Sequence, residues 1–223
     1  MSKVYLVSVG ISDYPGTSND LTLPAIDAKT ITRLYSRNSG ITYCQLLDQK
    51  ATVKNITIAI ERTFAKALSN DIVVLFFSGH GYPGGFCAYD DGISYKQIKA
   101  AMVKSKCRNK MIFADACFSG KMRSSKNITN TTTAAAAKNL KVMLFLSSRD
   151  NEKSYESPDM QNGYFTTYLV SALRGHADMN HNRIITAKEL YNHVHQGVVK
   201  LSENKQHPVM YGKFPDNMSV MKW

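Results

Sequence analysis

A histidine with a glycine on each side follows an apolar run in the first half of the chain. The run Ile72–Phe77 is of the continuous type found in buried parallel strands, and it leads into "SGHGYPGG", which contains His80. Imidazole gains and loses a proton near neutral pH, so a histidine with open space around it suits a general base. The alternative is a glycine-rich turn that happens to contain a histidine.

A cysteine follows a second strand-like run. Residues 110–116 predict a strand, and Cys117 stands at its end in the motif "DACFSG". The carboxyl ends of parallel strands lie on one edge of a sheet, so we expect His80 and Cys117 to lie close together. A thiol nucleophile beside an imidazole base is an arrangement for covalent catalysis. Gly81 would leave room for a substrate carbonyl and offer its N–H to the oxyanion.

Two polar residues each stand two positions before one member of this pair. Ser78 precedes His80 by two residues and Asp115 precedes Cys117 by two, so each pair faces one side of an extended strand. We therefore expect Ser78 and Asp115 to line a pocket beside the histidine and the cysteine. A carboxylate there favours a Lys or Arg side chain of a substrate. The alternative for Asp115 is a strand-end residue paired with a nearby lysine.

Strand-like and helix-like runs alternate along the chain. The alternation predicts an α/β fold with a mostly parallel central sheet and helices on both faces. Predicted strands cover 4–9, 41–47, 72–77, 110–116 and 141–146, with an edge strand at 208–211 and a hairpin around 86–92. Predicted helices cover 24–37, 164–173 and 187–200, one that Thr52 caps and whose apolar positions reach 68, and one from Ser94 to about Lys104.

Besides the two strand-end motifs, four further segments are informative. They are "VGISDYPG" at 9–16, "LPAIDA" at 23–28, "GYFTTYLVSALRG" at 163–175 and "ITAKELYNHV" at 185–194. Over nearly its whole length the chain resembles the caspase-like cysteine peptidases (clan CD, C14-type), in particular the metacaspases and their bacterial relatives. The resemblance implies a caspase-like three-layer sandwich. Caspases proper have a Gln-Ala-Cys motif and prefer Asp in the substrate, whereas "DACFSG" matches the metacaspase pattern.

The resemblance also implies a role for each candidate residue. The catalytic dyad would be His80 and Cys117, the oxyanion hole the N–H groups of Gly81 and Cys117, and the acidic S1 pocket Asp27, Ser78 and Asp115. The chain would then be a cysteine endopeptidase that cleaves after Arg or Lys. The alternative for Asp27 is a first-turn acid favoured by the helix dipole. The alternative for the whole chain is a catalytically inactive caspase-like module that acts through protein interaction.

A polar segment divides the predicted single domain, 1–223. Residues 118–140 lack apolar periodicity, so we expect an exposed loop between a large-subunit-like part, 1–117, and a small-subunit-like part, 141–223. An enzyme that cuts after basic residues would find targets for self-cleavage in this loop. The candidates are Lys121, Arg123, Lys126 and Lys138.

An α/β-hydrolase is a rival interpretation of the glycines around His80. That fold needs a nucleophile elbow with a glycine two residues before the nucleophile. Asp115 occupies this position before Cys117, which disfavours the hydrolase.

Two segments contain candidate calcium ligands. Residues 178–189 match the spacing of an EF-hand loop, but Arg183 stands where the loop needs glycine and only two carboxylates are present, so we interpret the segment as a turn and a helix cap. Many metacaspases are activated by calcium, which makes the acids at 90 and 91 candidates, although a hairpin turn explains them as well. We expect no required cofactor, with calcium activation as an option; the candidate ligands are Asp90, Asp91, Asp178, Asn180, Asn182 and Glu189.

The formal net charge of +11 raises the question of an anionic partner. The basic residues are spread widely, and the dense patches at 104–110 and 121–126 carry no interleaved aromatics, so we expect a solvated face and no nucleic acid. The expected partners are protein or peptide substrates with a basic P1 residue, with no membrane and a monomer favoured. No signal peptide or spanning segment is evident, so the predicted location is cytoplasmic.

Overall fold

The computed structural model describes residues 2–37, 40–117, 133, 135, 141–157 and 159–222. Its strands are β1 Val4–Gly10, β2 Ile41–Leu47, β3 Ile72–Tyr82, β4 Gly85–Cys87, β5 Gly92–Ser94, β6 Asn109–Cys117, β7 Met143–Leu146, β8 Ile184–Thr186, β9 Val209–Tyr211 and β10 Ser219–Lys222. The main sheet has the order β2-β1-β3-β6-β7-β9, in which β9 alone is antiparallel to its neighbour in this path. This confirms the predicted mostly parallel sheet and the edge strand.

The α-helices of the described ranges are α1 Pro24–Ser36, α2 Val53–Phe64, α3 Tyr95–Met102, α4 Tyr164–Ser171 and α5 Ala187–Leu201. Thr52 and Ser94 cap α2 and α3 as predicted, because each side chain accepts a hydrogen bond from a first-turn N–H. Helix α4 continues into a π-helical turn, Ala172–His176.

The helices form one layer on each face of the sheet. Helices α2 and α3 pack on the strand side chains that include Val7 and Leu75. Helices α1, α4 and α5 pack on the alternate set, which includes Leu6 and Phe76. Because successive side chains of a strand point to opposite faces, the central strands contribute to both cores. The result is the expected three-layer sandwich.

The strand that contains His80 is longer than predicted. Strand β3 runs through to Tyr82, because its last residues pair with β6 on one side and with β4 on the other. Gly79, His80 and Gly81 therefore lie within a strand, and the turn follows at residues 83–84. The alternative interpretation, a glycine-rich turn that contains His80, is therefore wrong.

Other boundaries also differ from the prediction. Helix α2 ends at Phe64, so Leu68 is not on its buried face and is 69% exposed. Helix α3 ends at Met102, and β7 begins at Met143. The sequence pattern missed the small antiparallel sheet of β8 and β10, since strands of three or four residues are too short to show periodicity.

Most of the predicted exposed loop, 118–140, lies outside the described residues, and so do the self-cleavage candidates Lys121, Arg123, Lys126 and Lys138. Within that segment Thr133 is described, and it is buried. Its N–H donates a hydrogen bond to the Asp150 carboxylate at 3.0 Å. The segment is therefore not exposed at this point.

Gly10 brings α1 close to the sheet. A Cβ atom on Gly10 would lie 2.3 Å from the carbonyl oxygen of Pro24 and 2.7 Å from the Cβ atom of Ala28. Only glycine permits this approach, which sets the height of the first turn of α1 above the sheet. That turn carries Asp27. In the described ranges, no helix is long and apolar enough to cross a membrane.

Candidate active site

The two strands that carry the candidate dyad are neighbours in the sheet. Strands β3 and β6 pair in parallel, with His80 opposite Cys117 and Ser78 opposite Asp115. The backbone thus brings the four residues to one edge of the sheet, as predicted from the strand ends. The side chain of Cys117 lies outside the described part of the structure.

The His80 ring is held by two residues of the loop between β1 and α1. Its Nε2 atom lies 2.8 Å from the carbonyl oxygen of Asn19, and its centroid lies 4.8 Å from that of the Tyr14 ring. A carbonyl oxygen only accepts hydrogen bonds, so Nε2 carries the proton in this network. In a neutral ring, Nδ1 is then the atom that can take up a proton.

Tyr14 also positions the backbone around His80. Its hydroxyl accepts a hydrogen bond from the His80 N–H at 2.9 Å and donates one to the Cys87 carbonyl at 3.0 Å. A Cβ atom on Gly79 would lie 2.6 Å from the Tyr14 hydroxyl oxygen. Glycine before His80 therefore makes room for Tyr14. Gly81, on the other side, pairs with Phe86 of β4, and its role in an oxyanion hole stays a prediction.

Asp27 faces the sheet from the first turn of α1. Its carboxylate accepts hydrogen bonds from the Ser78 hydroxyl at 2.9 Å, the Asn162 side-chain amide at 2.8 Å and the Gly163 N–H at 3.2 Å. The residue is 2% exposed. Asp27 does lie in a helical first turn, as the alternative supposed. Its hydrogen bonds, however, tie it to Ser78 on β3 and to the residues that precede α4.

Asp115 lies beside Asp27 and is also buried. One carboxylate oxygen accepts from the Ser154 hydroxyl at 2.5 Å, and the other accepts from the Thr166 N–H at 3.1 Å and its hydroxyl at 2.8 Å. A Cβ atom on Gly163 would lie 2.6 Å from the Asp115 Oδ2 atom, so glycine is needed where α4 begins. None of the ion pairs between described residues involves Asp115, so the suggested lysine partner is not found there.

The two buried carboxyls repel each other. Burial first, and then repulsion from Asp115, raise the pKa of Asp27 to about 8, and burial raises the pKa of Asp115. The hydrogen bonds to both groups act in the opposite direction. Several of these bonds come from the amino-terminal end of α4, where the helix dipole favours a negative charge. Burial prevails, so the pair favours retaining a proton near neutral pH.

Glu156 is a third acid near Asp115, and no motif of the sequence points to it. The residue lies at the surface, and the Leu23 backbone and the Thr22 side chain, just before α1, act to lower the pKa of its carboxyl. Partial burial, and then the Asp115 charge, raise its pKa, which shows that it lies within electrostatic reach of Asp115. No periodicity marks Glu156, because it belongs to the polar loop 149–162.

The calcium candidates have other partners. The Asp90 carboxylate accepts a hydrogen bond from the Val53 N–H, and that of Asp91 accepts one from the Gly92 N–H. The Asp178 carboxylate accepts from backbone N–H groups of the following turn, at residues 182 and 183. Thr186 and Glu189 form a capping box, which agrees with the turn-and-cap interpretation. Asn180 and Asn182 form hydrogen bonds within the same segment, one of them to Glu189.

A metal centre receives no support from the described part of the chain. Within it, no group of three or more His, Cys, Asp or Glu side chains could hold a metal ion. Calcium activation therefore stays a prediction, and no chemical step is assigned to a metal.

A three-layer sandwich that pairs a histidine strand with a cysteine strand beside buried acids has the architecture of a caspase-like domain. The caspase domain model of peptidase family C14 matches residues 4–218. The chain therefore belongs to the caspase-like C14 peptidase family, which confirms the family named from its motifs.

Solved structures agree on the fold. Protein GSU0716 from Geobacter sulfurreducens has a TM-score of 0.67 and 18% identity, with 96% of this chain and 95% of that chain covered. Caspase-1 from Spodoptera frugiperda has a TM-score of 0.69 and 15% identity, with 99% and 90% covered. At these identities the likeness concerns the fold alone. A comparison with curated protein sequences finds no significant match.

Replacing Asp27 with Asn should change how stability depends on pH. A buried carboxyl with a raised pKa binds its proton more tightly in the folded state, so it stabilises at low pH and this contribution is lost as the pH rises towards about 8. Between about pH 5 and about pH 9, the free energy of unfolding should therefore fall by about 1–3 kcal/mol more in the wild type than in Asp27→Asn. Urea unfolding at both pH values measures this difference.

The matched control for this experiment is Asp159→Asn, which removes an exposed carboxylate from the loop before α4. It should keep the pH dependence of the wild type. The same dependence in the wild type and in Asp27→Asn would contradict the raised pKa of Asp27.

Proposed function

We propose that this chain is a cysteine endopeptidase that cleaves peptide bonds after Arg or Lys with Cys117 and His80 as its catalytic dyad. The observation that carries the proposal is the register of β3 and β6, in which His80 stands opposite Cys117, two residues beyond the pair Ser78 and Asp115. A Cys–His dyad requires that two strands deliver both residues to one edge, and this register supports it.

In the proposed reaction His80 takes the thiol proton of Cys117. The carbonyl of Asn19 occupies the Nε2 side of the ring, so Nδ1 is the proton acceptor. The thiolate attacks the scissile carbonyl carbon, and the N–H groups of Gly81 and Cys117 donate hydrogen bonds to the oxyanion. His80 then protonates the leaving amine. A water molecule, deprotonated by His80, hydrolyses the acyl-enzyme and restores the thiol.

The proposed S1 pocket has Asp27, Ser78 and Asp115 at its base and Glu156 at its rim. The buried acids support a basic P1 residue, because a guanidinium or ammonium group would offset the repulsion between Asp27 and Asp115. Its entry would lower their pKa values and release the retained proton. An acidic P1 side chain would add to the repulsion instead, which gives selectivity against Asp.

We further propose that the reaction needs no cofactor and that the partners are proteins or peptides with a basic P1 residue. The monomeric state and the cytoplasmic location expected from the sequence are part of the same proposal. Calcium activation stays an option, although no group of three or more His, Cys, Asp or Glu side chains in the described ranges could hold a metal ion.

Peptide substrates test the proposal directly. A fluorogenic peptidyl-Arg or peptidyl-Lys substrate should be hydrolysed with a kcat/KM at least about 100-fold above that of the matched peptidyl-Asp substrate, because only the basic side chain compensates the buried acids. Cys117→Ala should reduce the rate to background, since it removes the nucleophile. Failure of the wild type to turn over any of these substrates, with and without calcium, would contradict the proposal and favour a catalytically inactive interaction module.

The pocket assignment is tested by variants of its acids. Asp27→Ala should lower kcat/KM for peptidyl-Arg by about 100-fold or more, a much larger effect than its cost to folding, because it removes the carboxylate that faces the substrate. Glu156→Gln should lower it by about three- to tenfold, since an exposed carboxylate attracts a cation less strongly. Asp159→Asn, on the same loop, is the control for both. A parallel loss of activity and folding in Asp27→Ala would show that Asp27 is structural.

We also propose that the enzyme cuts itself within 118–140. Incubated wild type should yield fragments that end at one or more of the basic residues named above, because the enzyme would cleave after Lys or Arg and four such residues occur there. Cys117→Ala should stay intact under the same conditions. Gel electrophoresis with mass spectrometry of the fragments measures this, and identical intact bands for both proteins would contradict self-processing.

A further inference from the structure

A cavity lies at the edge of the sheet opposite the candidate active site. It has a volume of about 410 Å³ and is lined by the segments 108–110 and 141–143 and by residues of the loop between β9 and β10. Strands β6 and β7 begin there, whereas Cys117 stands at the far end of β6. The cavity is therefore separate from the proposed peptidase site.

The backbone around this cavity is tied to the rest of the fold. The Ala187 N–H at the start of α5 donates a hydrogen bond to the Met218 carbonyl at 2.9 Å, which anchors the loop between β9 and β10. The Arg108 N–H donates one to the Ser69 carbonyl at 3.1 Å, which anchors the opposite wall. Walls held in this way need little reordering when a ligand binds.

Three exposed cations surround the cavity. Arg108, Lys141 and Lys213 line it, and none of them forms an ion pair with a described residue. Asp216, the acid of the loop between β9 and β10, lines the neighbouring cavity instead. Like charges that share a concave surface raise the local positive potential, which an anion would relieve.

A fourth cation lies deeper. Lys110 is half-buried, and its ammonium group donates hydrogen bonds to the carbonyls of Ser105 and Cys107. Burial lowers its pKa. A nearby anion would favour its charged form, so Lys110 adds to the attraction for an anion.

The inner wall of the cavity is apolar. Met143 and Met218 are buried, and Phe214 beside them is half-buried. The amides of Asn109 and Asn217 add hydrogen-bonding groups to the same lining. A ligand that fits must therefore combine anionic oxygens with an apolar or aromatic part.

We propose that this cavity binds a small organic phosphate with an aromatic body, of the size of a nucleotide. Several cations around one site suit a multiply charged oxyanion, and the apolar inner wall suits a stacked ring. The volume is in the range of small-molecule sites, which favours a small molecule as the occupant. The proposal does not depend on the peptidase activity.

Calorimetric titration of the full chain with ATP and with inorganic tripolyphosphate, without metal ions, tests the proposal. The double variant Lys141→Gln/Lys213→Gln removes two cations of the cavity. The matched control, Lys54→Gln/Lys66→Gln, removes two exposed lysines elsewhere and changes the net charge equally. The wild type and the control should bind ATP alike, and the cavity variant should bind it at least about tenfold more weakly.

Each outcome decides the question. Binding of ATP more tightly than tripolyphosphate supports the aromatic body, and equal affinities overturn that part. Equal ATP affinities in the cavity variant and in the control overturn the site, as does the absence of binding to the wild type. Retained binding in Lys141→Arg/Lys213→Arg supports the role of charge; if the glutamine variant fails to fold, Arg108→Gln takes its place with the same expectation.

Discussion

The parallel pairing of β3 with β6 is the constraint on which the candidate site depends. The register places Ser78 opposite Asp115 and His80 opposite Cys117. One ladder of backbone hydrogen bonds therefore fixes the positions of the candidate dyad and of the polar pair that lies two residues earlier in each strand. A shift of one residue would send these side chains to the opposite face of the sheet. The buried apolar residues of both strands resist such a shift, since it would exchange the two hydrophobic cores. The site is thus aligned by the packing of residues that take no part in chemistry.

The acids beside the dyad are held in a position that opposes their ionisation. Asp27 and Asp115 are buried side by side, and their charges are supported by hydrogen bonds from Ser78, Ser154 and the start of α4. A buried acid pair of this kind weakens the fold when both groups ionise, and a cationic ligand removes that penalty. The proposed preference for Arg or Lys follows from this balance, because the substrate would supply the missing positive charge.

The loop between β1 and α1 links the parts of the site. Tyr14 and Asn19 hold the histidine, and Thr22 and Leu23, which act to lower the pKa of Glu156, lie just before the helix that carries Asp27. A displacement of this loop would therefore act on the base and on the pocket together. At the opposite edge of the sheet, exposed cations without ion-pair partners among the described residues surround a partly apolar cavity.

The sequence by itself determined the order of the main strands and helices, the caps at Thr52 and Ser94, and the two strands whose ends lead to His80 and Cys117. These features are local, because apolar periodicity and motifs report on a residue and its near neighbours in the chain. The tertiary structure alone decided that β3 continues through His80, since pairing with β4 and β6 extends the strand. It also decided that Asn19 meets the histidine, that Asn162 and Gly163 meet Asp27, and that Glu156 joins the acids. Those contacts join loops that are distant in sequence and lack periodicity, so only the packing of the folded chain brings them together.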